Sequence, residues 1–184
     1  YGAVDMMVVG QFATAADVSA VSTASWLMQL VTSLVVGIAV GTTVLLGRKL
    51  GEGNAAESGK IVGASIALFG FLGIALTVAM ELLAVPLVKL MQTPPEAVGA
   101  AVAYMRICSA GTVFIVAYNV LGSVFRGIGN SRIPLMAVAF ACVFNIAGDY
   151  LLVGVFKMAA AGAAIATVAA QALSVLLSLL IIRR

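Results

Sequence analysis

Two aspartates lie in stretches of the sequence that are otherwise apolar. Asp5 falls within YGAVDMMVVG and Asp149 within FNIAGDYLLVG, and no Lys or Arg follows Asp149 until Lys157. Moving an ionised carboxylate into a low-dielectric interior costs on the order of tens of kcal/mol, so such a group holds a proton or pairs with a cation. With no basic residue expected at their depth, Asp5 and Asp149 indicate a site for H⁺, for a metal cation such as Na⁺, or for a cationic ligand.

Further polar residues occur at helical spacing, two of them four positions before these acids. Intervals of four residues join Tyr1 to Asp5, Asn145 to Asp149, and Thr167 to Gln171. Residues four apart share one face of a helix, and polar faces of membrane helices turn toward each other or toward a water-filled cavity. A second stripe, with spacings of 4, 3 and 4, consists of Ser22, Trp26, Gln29 and Ser33. Interhelical hydrogen bonding, or an interfacial anchor at Trp26, is the structural alternative.

The composition sets the class of protein in which these faces occur. Hydrophobic residues make up 63% of the 184 residues, charged residues only 9%, and the mean hydropathy is +1.19. Soluble domains are about half apolar and about a quarter charged, so this chain must face lipid. The sequence contains no His, which removes the commonest metal ligand and catalytic base. Cys108 and Cys142 lie in apolar runs and are predicted to be inert thiols.

A membrane-spanning helix needs about 20 apolar residues, and charges and helix breakers mark where such runs end. Asp17 and Asn54 indicate two of the helix starts. The pattern predicts an all-α bundle of about six transmembrane helices, the first of them truncated. The predicted spans are 1–12, 18–47, 58–85, 97–125, 134–154 and 161–182. Because the chain starts inside an apolar run and ends on Arg183 and Arg184, we expect it to be a fragment of a longer protein.

The basic residues predict the orientation of the bundle. Seven of them flank one side: Arg48, Lys49, Lys60, Arg126, Arg132, Arg183 and Arg184. The opposite loops hold Lys89 and Lys157, and Arg106 lies about ten residues inside the fourth span. By the positive-inside rule, loops 48–57 and 126–133 are predicted to be cytoplasmic, in a multi-pass protein of the cell (inner) membrane. Asp5 and Asp149 then lie at matching depth in the outer half.

Several segments together resemble the multidrug and toxic compound extrusion (MATE) family. VDMMVVGQF is similar to the first-helix segment of the family, with its acid ahead of a Val-Gly pair. GRKLGEGN at 47–54 resembles the first cytoplasmic loop, and FRGIGNSRIP at 125–134 resembles the Arg-Gly-x-Gly turn between helices four and five. NIAGDYLLVG followed by GAAIATVAAQ is similar to helices five and six.

This resemblance implies a fold and a set of site residues. Family members have about twelve helices in two pseudo-symmetric lobes, so residues 1–184 would form the amino-terminal lobe and lack the carboxy-terminal one. Its acidic pocket would contain Asp5, Asp149, Asn145, Tyr1 and Thr167. One departure is Gly122, which stands where some members carry an asparagine, with Asn119 one turn away.

The resulting hypothesis is a secondary active antiporter, not an enzyme, that needs no cofactor besides its coupling ion. It would export drugs or organic cations in exchange for H⁺ or Na⁺. Asp5 and Asp149 would bind the ion, with Asn145, Tyr1 and Thr167 positioning them. The substrate cavity would be lined by Trp26, Gln29, Ser33, Asn119 and Gln171. Small amphipathic compounds and the lipid bilayer are the expected partners, and nucleic acid is not.

Other functions remain open at this point. A flippase for lipid-linked oligosaccharides belongs to the same superfamily, but basic residues at depth, which would serve anionic headgroups, are absent here. An intramembrane aspartyl protease needs two carboxylates that share a proton, yet Val4 precedes Asp5 where that family has Tyr. The stretch 51–56 fits Gly-x-Gly-x-x-Ala, but it lies between two spans and not after a strand. A purely structural membrane domain is a further alternative.

Overall fold

The computed structural model describes residues 2–183, and Tyr1 and Arg184 lie outside this range. Seven α-helices account for nearly all of the described residues, with one π-helical segment, Tyr150–Val155, between the last two. In chain order the α-helices are α1 (Gly2–Phe12), α2 (Ala15–Gly51), α3 (Ala55–Leu90), α4 (Pro95–Ala110), α5 (Thr112–Gly127), α6 (Arg132–Asp149) and α7 (Ala159–Ile182).

Four helices, α2, α3, α7 and α6 with its π-helical continuation, are long and apolar enough to cross a membrane. The pair α4 and α5 passes the same criterion together but is bent by 46°, which gives up to five spans, and α1 is a shorter apolar helix. The prediction of an all-α transmembrane bundle is confirmed. α2 and α3 extend beyond the predicted spans 18–47 and 58–85 because charged residues at their ends remain helical.

Side chains at the helix starts explain two of these boundaries. Thr14 is the N-cap of α2: its hydroxyl accepts from the backbone N–H of Asp17, whose carboxylate accepts from the backbone N–H of Thr14. The prediction from Asp17 therefore placed the start of α2 about one turn too far along the chain. Asn54 caps α3 and accepts from the backbone N–H of Glu57, as its position predicts.

The stretch 51–56 joins the end of α2 to the start of α3, and there is no strand beside it in residues 2–183. Lys49 donates to Glu52 and contacts Glu57, each at 2.8–2.9 Å, so it links the two helix ends. The hydrogen bonds to Glu57 and Glu52 raise the pKa of Lys49. These charges are solvent-exposed, so the pairs position the turn without adding much stability.

The predicted span 134–154 is not a regular helix to its end. α-Helical hydrogen bonding stops at Asp149, and the next six residues form the π-helical segment, in which Phe156 N–H donates to Leu151 O at 3.0 Å. The ring of Phe12, the last residue of α1, packs edge-on against Tyr150 at 5.9 Å between centroids. The end of α1 thus rests on the irregular turn that follows Asp149.

Gly111 separates α4 from α5 and also allows this junction to approach α7. A Cβ at Gly111 would lie 2.5 Å from Cγ2 of Val168, closer than side chains tolerate. We expect Gly111→Ala to lower the free energy of unfolding by about 1–3 kcal/mol, because the stiff Val168 must shift.

Thermal unfolding of the detergent-purified protein would measure this effect. Gly99→Ala is the matched control within α4, since a Cβ there has nothing within 4 Å. Val168→Ala in the Gly111→Ala background should restore much of the loss. An unfolding midpoint of Gly111→Ala equal to that of the unchanged protein would contradict the packing described here.

Candidate functional site

Asp5 and Asp149 come together in the interior of the bundle. Asp5 lies in the first turn of α1 and Asp149 is the last residue of α6, and both are 0% exposed. Asn145, one turn before Asp149 on α6, reaches Asp5 at 3.5 Å, so the face of α6 that carries Asp149 is turned toward Asp5. Two residues that are 144 positions apart in the sequence therefore form one buried acidic pair.

Asp5 is surrounded by hydrogen-bond donors. Its Oδ2 accepts from the Tyr104 hydroxyl at 2.7 Å and from the Thr167 hydroxyl at 2.9 Å, and its Oδ1 accepts a long bond from Asn145 Nδ2 at 3.5 Å. Asn145 also donates to Thr167 Oγ1 at 3.1 Å. Hydroxyl and amide donors therefore satisfy both oxygens of Asp5.

Asp149 has the opposite environment. Neither of its carboxylate oxygens receives a hydrogen bond from residues 2–183, and Oδ1 of Asn145 one turn earlier is also buried without a donor. Three oxygen acceptors without a donor thus lie together on α6, beside Asp5. Buried acceptors of this kind need a proton or a cation, and oxygen ligands are those that hard cations prefer.

Built-in positive charge does not neutralise this pair within the described residues. The ion pairs formed there are Arg48–Glu52, Lys49–Glu52, Lys49–Glu57 and Arg106–Glu81. None of them reaches Asp5 or Asp149. No group of three or more Asp, Glu, Cys or His residues that could hold a metal is found in residues 2–183 either. Any further cation ligands from the described residues would therefore be neutral oxygens, such as those of Asn145 and Thr167.

A cavity of about 440 Å³ lies next to the acidic pair. Tyr104 and Thr167 line this cavity and also donate to Asp5, so these two hydroxyls separate the carboxylate from the cavity. The remaining lining residues are uncharged: Gly2, Ala3, Met6, Ser22, Ser25, Trp26, Met28, Gln29, Thr32, Cys108, Ile115, Tyr118, Asn119, Gln171 and Ser174. The wall is thus aromatic, sulfur-containing and neutral polar.

Most of the predicted cavity residues line this space. Trp26, Gln29, Asn119 and Gln171 do so, with Trp26 64% exposed at its edge. The prediction for Ser33 was wrong: it is exposed on α2 and does not line the cavity. Ser33 shares a helix face with Gln29 but lies one turn further along α2, beyond Thr32, the last residue of that helix that lines the cavity.

The other predicted site residues have mixed outcomes. Asn145 and Thr167 lie beside the acids, whereas Tyr1 is outside the described residues. Asn119 donates to the carbonyl of Ile115 at 2.8 Å, not to an acid. Gly122 is followed one turn later by Arg126, whose Nη1 would be 3.1 Å from an added Cβ. Neither Asn119 nor the Gly122 position therefore extends the hydrogen-bond network around Asp5.

Tyr104 is a residue of the candidate site that helical spacing in the sequence did not indicate. It has no polar neighbour four residues away apart from Cys108, so no polar face marked it in the sequence. Its hydroxyl accepts from Ser25 at 3.3 Å and donates to Asp5, which links α1, α2 and α4. The available signal was chemical: a buried tyrosine in an apolar span needs a partner for its hydroxyl.

Comparisons with known proteins agree with this geometry. A sequence profile of the MatE family matches residues 1–151. The chain is 29% identical over 176 residues, 96% of its length, to the probable multidrug resistance protein YpnP of Bacillus subtilis strain 168. It is also 29% identical over 185 residues, 98% of its length, to the probable multidrug resistance protein YoeA of the same organism.

A solved structure, described as MATE in the bent conformation, superposes with a TM-score of 0.93 at 25% identity and covers 97% of this chain. The chain spans about 40% of the length of each of these three proteins. The profile match over most of the chain identifies its family, and the superposition shows that the chain shares the fold of the solved structure. The chain is a multi-pass membrane protein that belongs to the MatE family and has the fold of one transporter lobe.

Proposed function

We propose that this chain forms the ion-binding lobe of a secondary active antiporter that exports drugs or organic cations in exchange for H⁺ or Na⁺. The observation that carries the proposal is the buried pair of Asp5 and Asp149, which has no basic partner within residues 2–183 and adjoins a neutral cavity. Such a pair is neutralised from solution, which is the requirement for a coupling ion.

The unequal surroundings of the two acids suggest where the ion binds. In the proton-loaded state the carboxyl of Asp149 would carry the proton and donate a hydrogen bond to Asp5, because Asp5 already accepts bonds from Tyr104 and Thr167. When the proton leaves, two negative charges share one buried site and repel each other. In the Na⁺-loaded state the cation would lie between the two carboxylates and use the free Oδ1 of Asn145.

Tyr104 and Thr167 would connect the ion to the substrate. Both hydroxyls contact Asp5 on one side and line the cavity on the other, so a change in the charge of the acidic pair changes the cavity wall. Ion and substrate would then favour different states of the lobe, which is the thermodynamic basis of exchange. A neutral, aromatic wall suits an amphipathic cation better than the anionic headgroup of a flippase substrate.

The proposal includes an orientation in the cell membrane, with loops 48–57 and 126–133 on the cytoplasmic side. It is tested by reconstituting the transporter that contains this chain into liposomes and following a fluorescent organic cation. We expect uphill movement of the dye when an H⁺ or a Na⁺ gradient is imposed, and loss of that movement when an ionophore collapses the gradient. Dye movement that is the same without any gradient would exclude antiport.

A further inference from the structure

Glu81 of α3 and Arg106 of α4 form a charged pair on the side of the lobe away from the cavity. Arg106 Nε lies 4.0 Å from Glu81 Oε2, and the two side chains are 56% and 37% exposed. α3 contributes no residue to the cavity wall, and Arg106 lies on the face of α4 that is exposed, whereas Tyr104 and Cys108 face inward. The ion site and the cavity do not involve this pair.

The charge pattern of the two helices gives the level of the pair in the bilayer. In α3, 20 uncharged residues (61–80) separate Lys60 from Glu81. Along α4 and α5, 19 uncharged residues (107–125) separate Arg106 from Arg126. At 1.5 Å per residue each run measures about 30 Å, which is the thickness of the hydrocarbon core. Two independent runs therefore place Glu81 and Arg106 together at one boundary of that core.

The backbone of α3 supports this position of the Glu81–Arg106 pair in the bilayer. Pro86 lies inside α3, and a proline has no N–H to donate to the carbonyl four residues earlier, which is that of Leu82. Leu82 is 75% exposed. A free carbonyl is costly in hydrocarbon but acceptable where headgroups and water reach the helix. The same turn of α3 thus carries a charged side chain and a carbonyl that lacks its usual helical donor.

The guanidinium of Arg106 has N–H donors at this boundary that no acceptor in residues 2–183 uses. Arginine presents five N–H donors in a planar fork. Apart from the 4.0 Å contact to Glu81, Arg106 makes no hydrogen bond to residues 2–183. On the core side of Glu81, the exposed residues of α3 one and two turns away, Val78 and Ile74, are apolar. A partner for this surface therefore needs an anionic group beside acyl chains.

We propose that Arg106 binds the phosphate of a phospholipid whose acyl chains lie along Val78 and Ile74 in the hydrocarbon core, with Glu81 competing for the guanidinium at the boundary of that core. Arginine pairs with phosphate through two parallel hydrogen bonds, which are shorter and stronger than a single contact at 4.0 Å. The site would retain one phospholipid per lobe on the back of the bundle, independently of ion and substrate.

The test is a lipid titration of the purified transporter that contains this chain, followed by native mass spectrometry. Dioleoylphosphatidylglycerol is compared with dioleoylglycerol, which has the same acyl chains and no phosphate. We expect Arg106→Gln to weaken binding of the first phosphatidylglycerol about fivefold, the effect of one basic residue at a membrane surface. Lys89→Gln, at the end of α3 on the same side, is the matched control and should bind as the unchanged protein does.

Glu81→Gln distinguishes a lipid site from a structural ion pair. Removing the competing carboxylate should tighten phosphatidylglycerol binding, because Arg106 remains and loses its only ionic neighbour. If Glu81→Gln instead weakens binding as much as Arg106→Gln, the pair is a brace and the proposal is wrong. Equal retention of dioleoylglycerol and phosphatidylglycerol, or unchanged affinity in Arg106→Gln, would also overturn it. If Arg106→Gln does not fold, the same titration is made with Arg106→Lys, which keeps the charge but loses the planar fork of donors.

Discussion

Asp149→Asn is expected to reduce ion-driven export of an organic cation to the level of protein-free liposomes. Asparagine has nearly the same shape as aspartic acid but cannot take up or release a proton, and it offers a cation no negative charge. Because both Asp149 oxygens lack a donor in residues 2–183, the amide also loses little hydrogen bonding on substitution. The protein should therefore fold and reach the membrane while transport is lost.

The measurement is dye efflux from liposomes under each imposed gradient, with binding of the dye recorded separately. Glu96→Gln is the matched control, because Glu96 is an exposed acid in the first turn of α4. We expect that variant to transport normally. Efflux from Asp149→Asn at the unmodified rate would refute the role proposed for this residue.

Asp5→Asn is expected to impair export nearly as severely, for a different reason. Asp5 is the acceptor for Tyr104 and Thr167, and an asparagine keeps one oxygen for these hydroxyls but loses the charge that makes the bonds strong. Asp149 would then have no anionic partner with which to share a proton or a cation.

The double variant separates one site from two. If Asp5 and Asp149 bind the same ion, Asp5→Asn combined with Asp149→Asn should be no worse than either single variant, because groups that act as a unit are not additive. Because efflux is already lost in Asp149→Asn, the readout is the affinity of the purified protein for protons or Na⁺. A double variant whose loss of affinity is the product of the two single losses would show separate sites.

Sequence patterns predicted the helices well where charges border long apolar runs. Asn54 and Glu57 mark the start of α3 because a side-chain cap depends only on neighbouring residues. The bend at Gly111 was not predictable in this way, because the reason for a glycine there is its contact with Val168 of α7. The π-helical segment after Asp149 is likewise surrounded by contacts with α1 and α7 that local sequence does not contain.

The candidate site was likewise predictable where neighbouring residues determine it, and not where contacts between distant residues do. The four-residue spacing of Asn145 and Asp149 placed both on one face, and electrostatics predicted that Asp149 would be buried without a basic partner. Tyr104 reaches Asp5 across 99 positions, so only the packing of α4 against α1 and α2 could reveal it. Ser33 was misplaced because a stripe of polar residues does not show where a cavity ends.

The absence of α3 from the described cavity wall has an evolutionary consequence for the proposed transporter. Cargo preference can diversify through substitutions in α1, α2, α4, α5 and α7, whose side chains line the space, while α3 remains constrained only by its contacts with lipid and with its neighbours. Adaptation to a new toxin and adaptation to a new membrane composition would then proceed through separate sets of mutations.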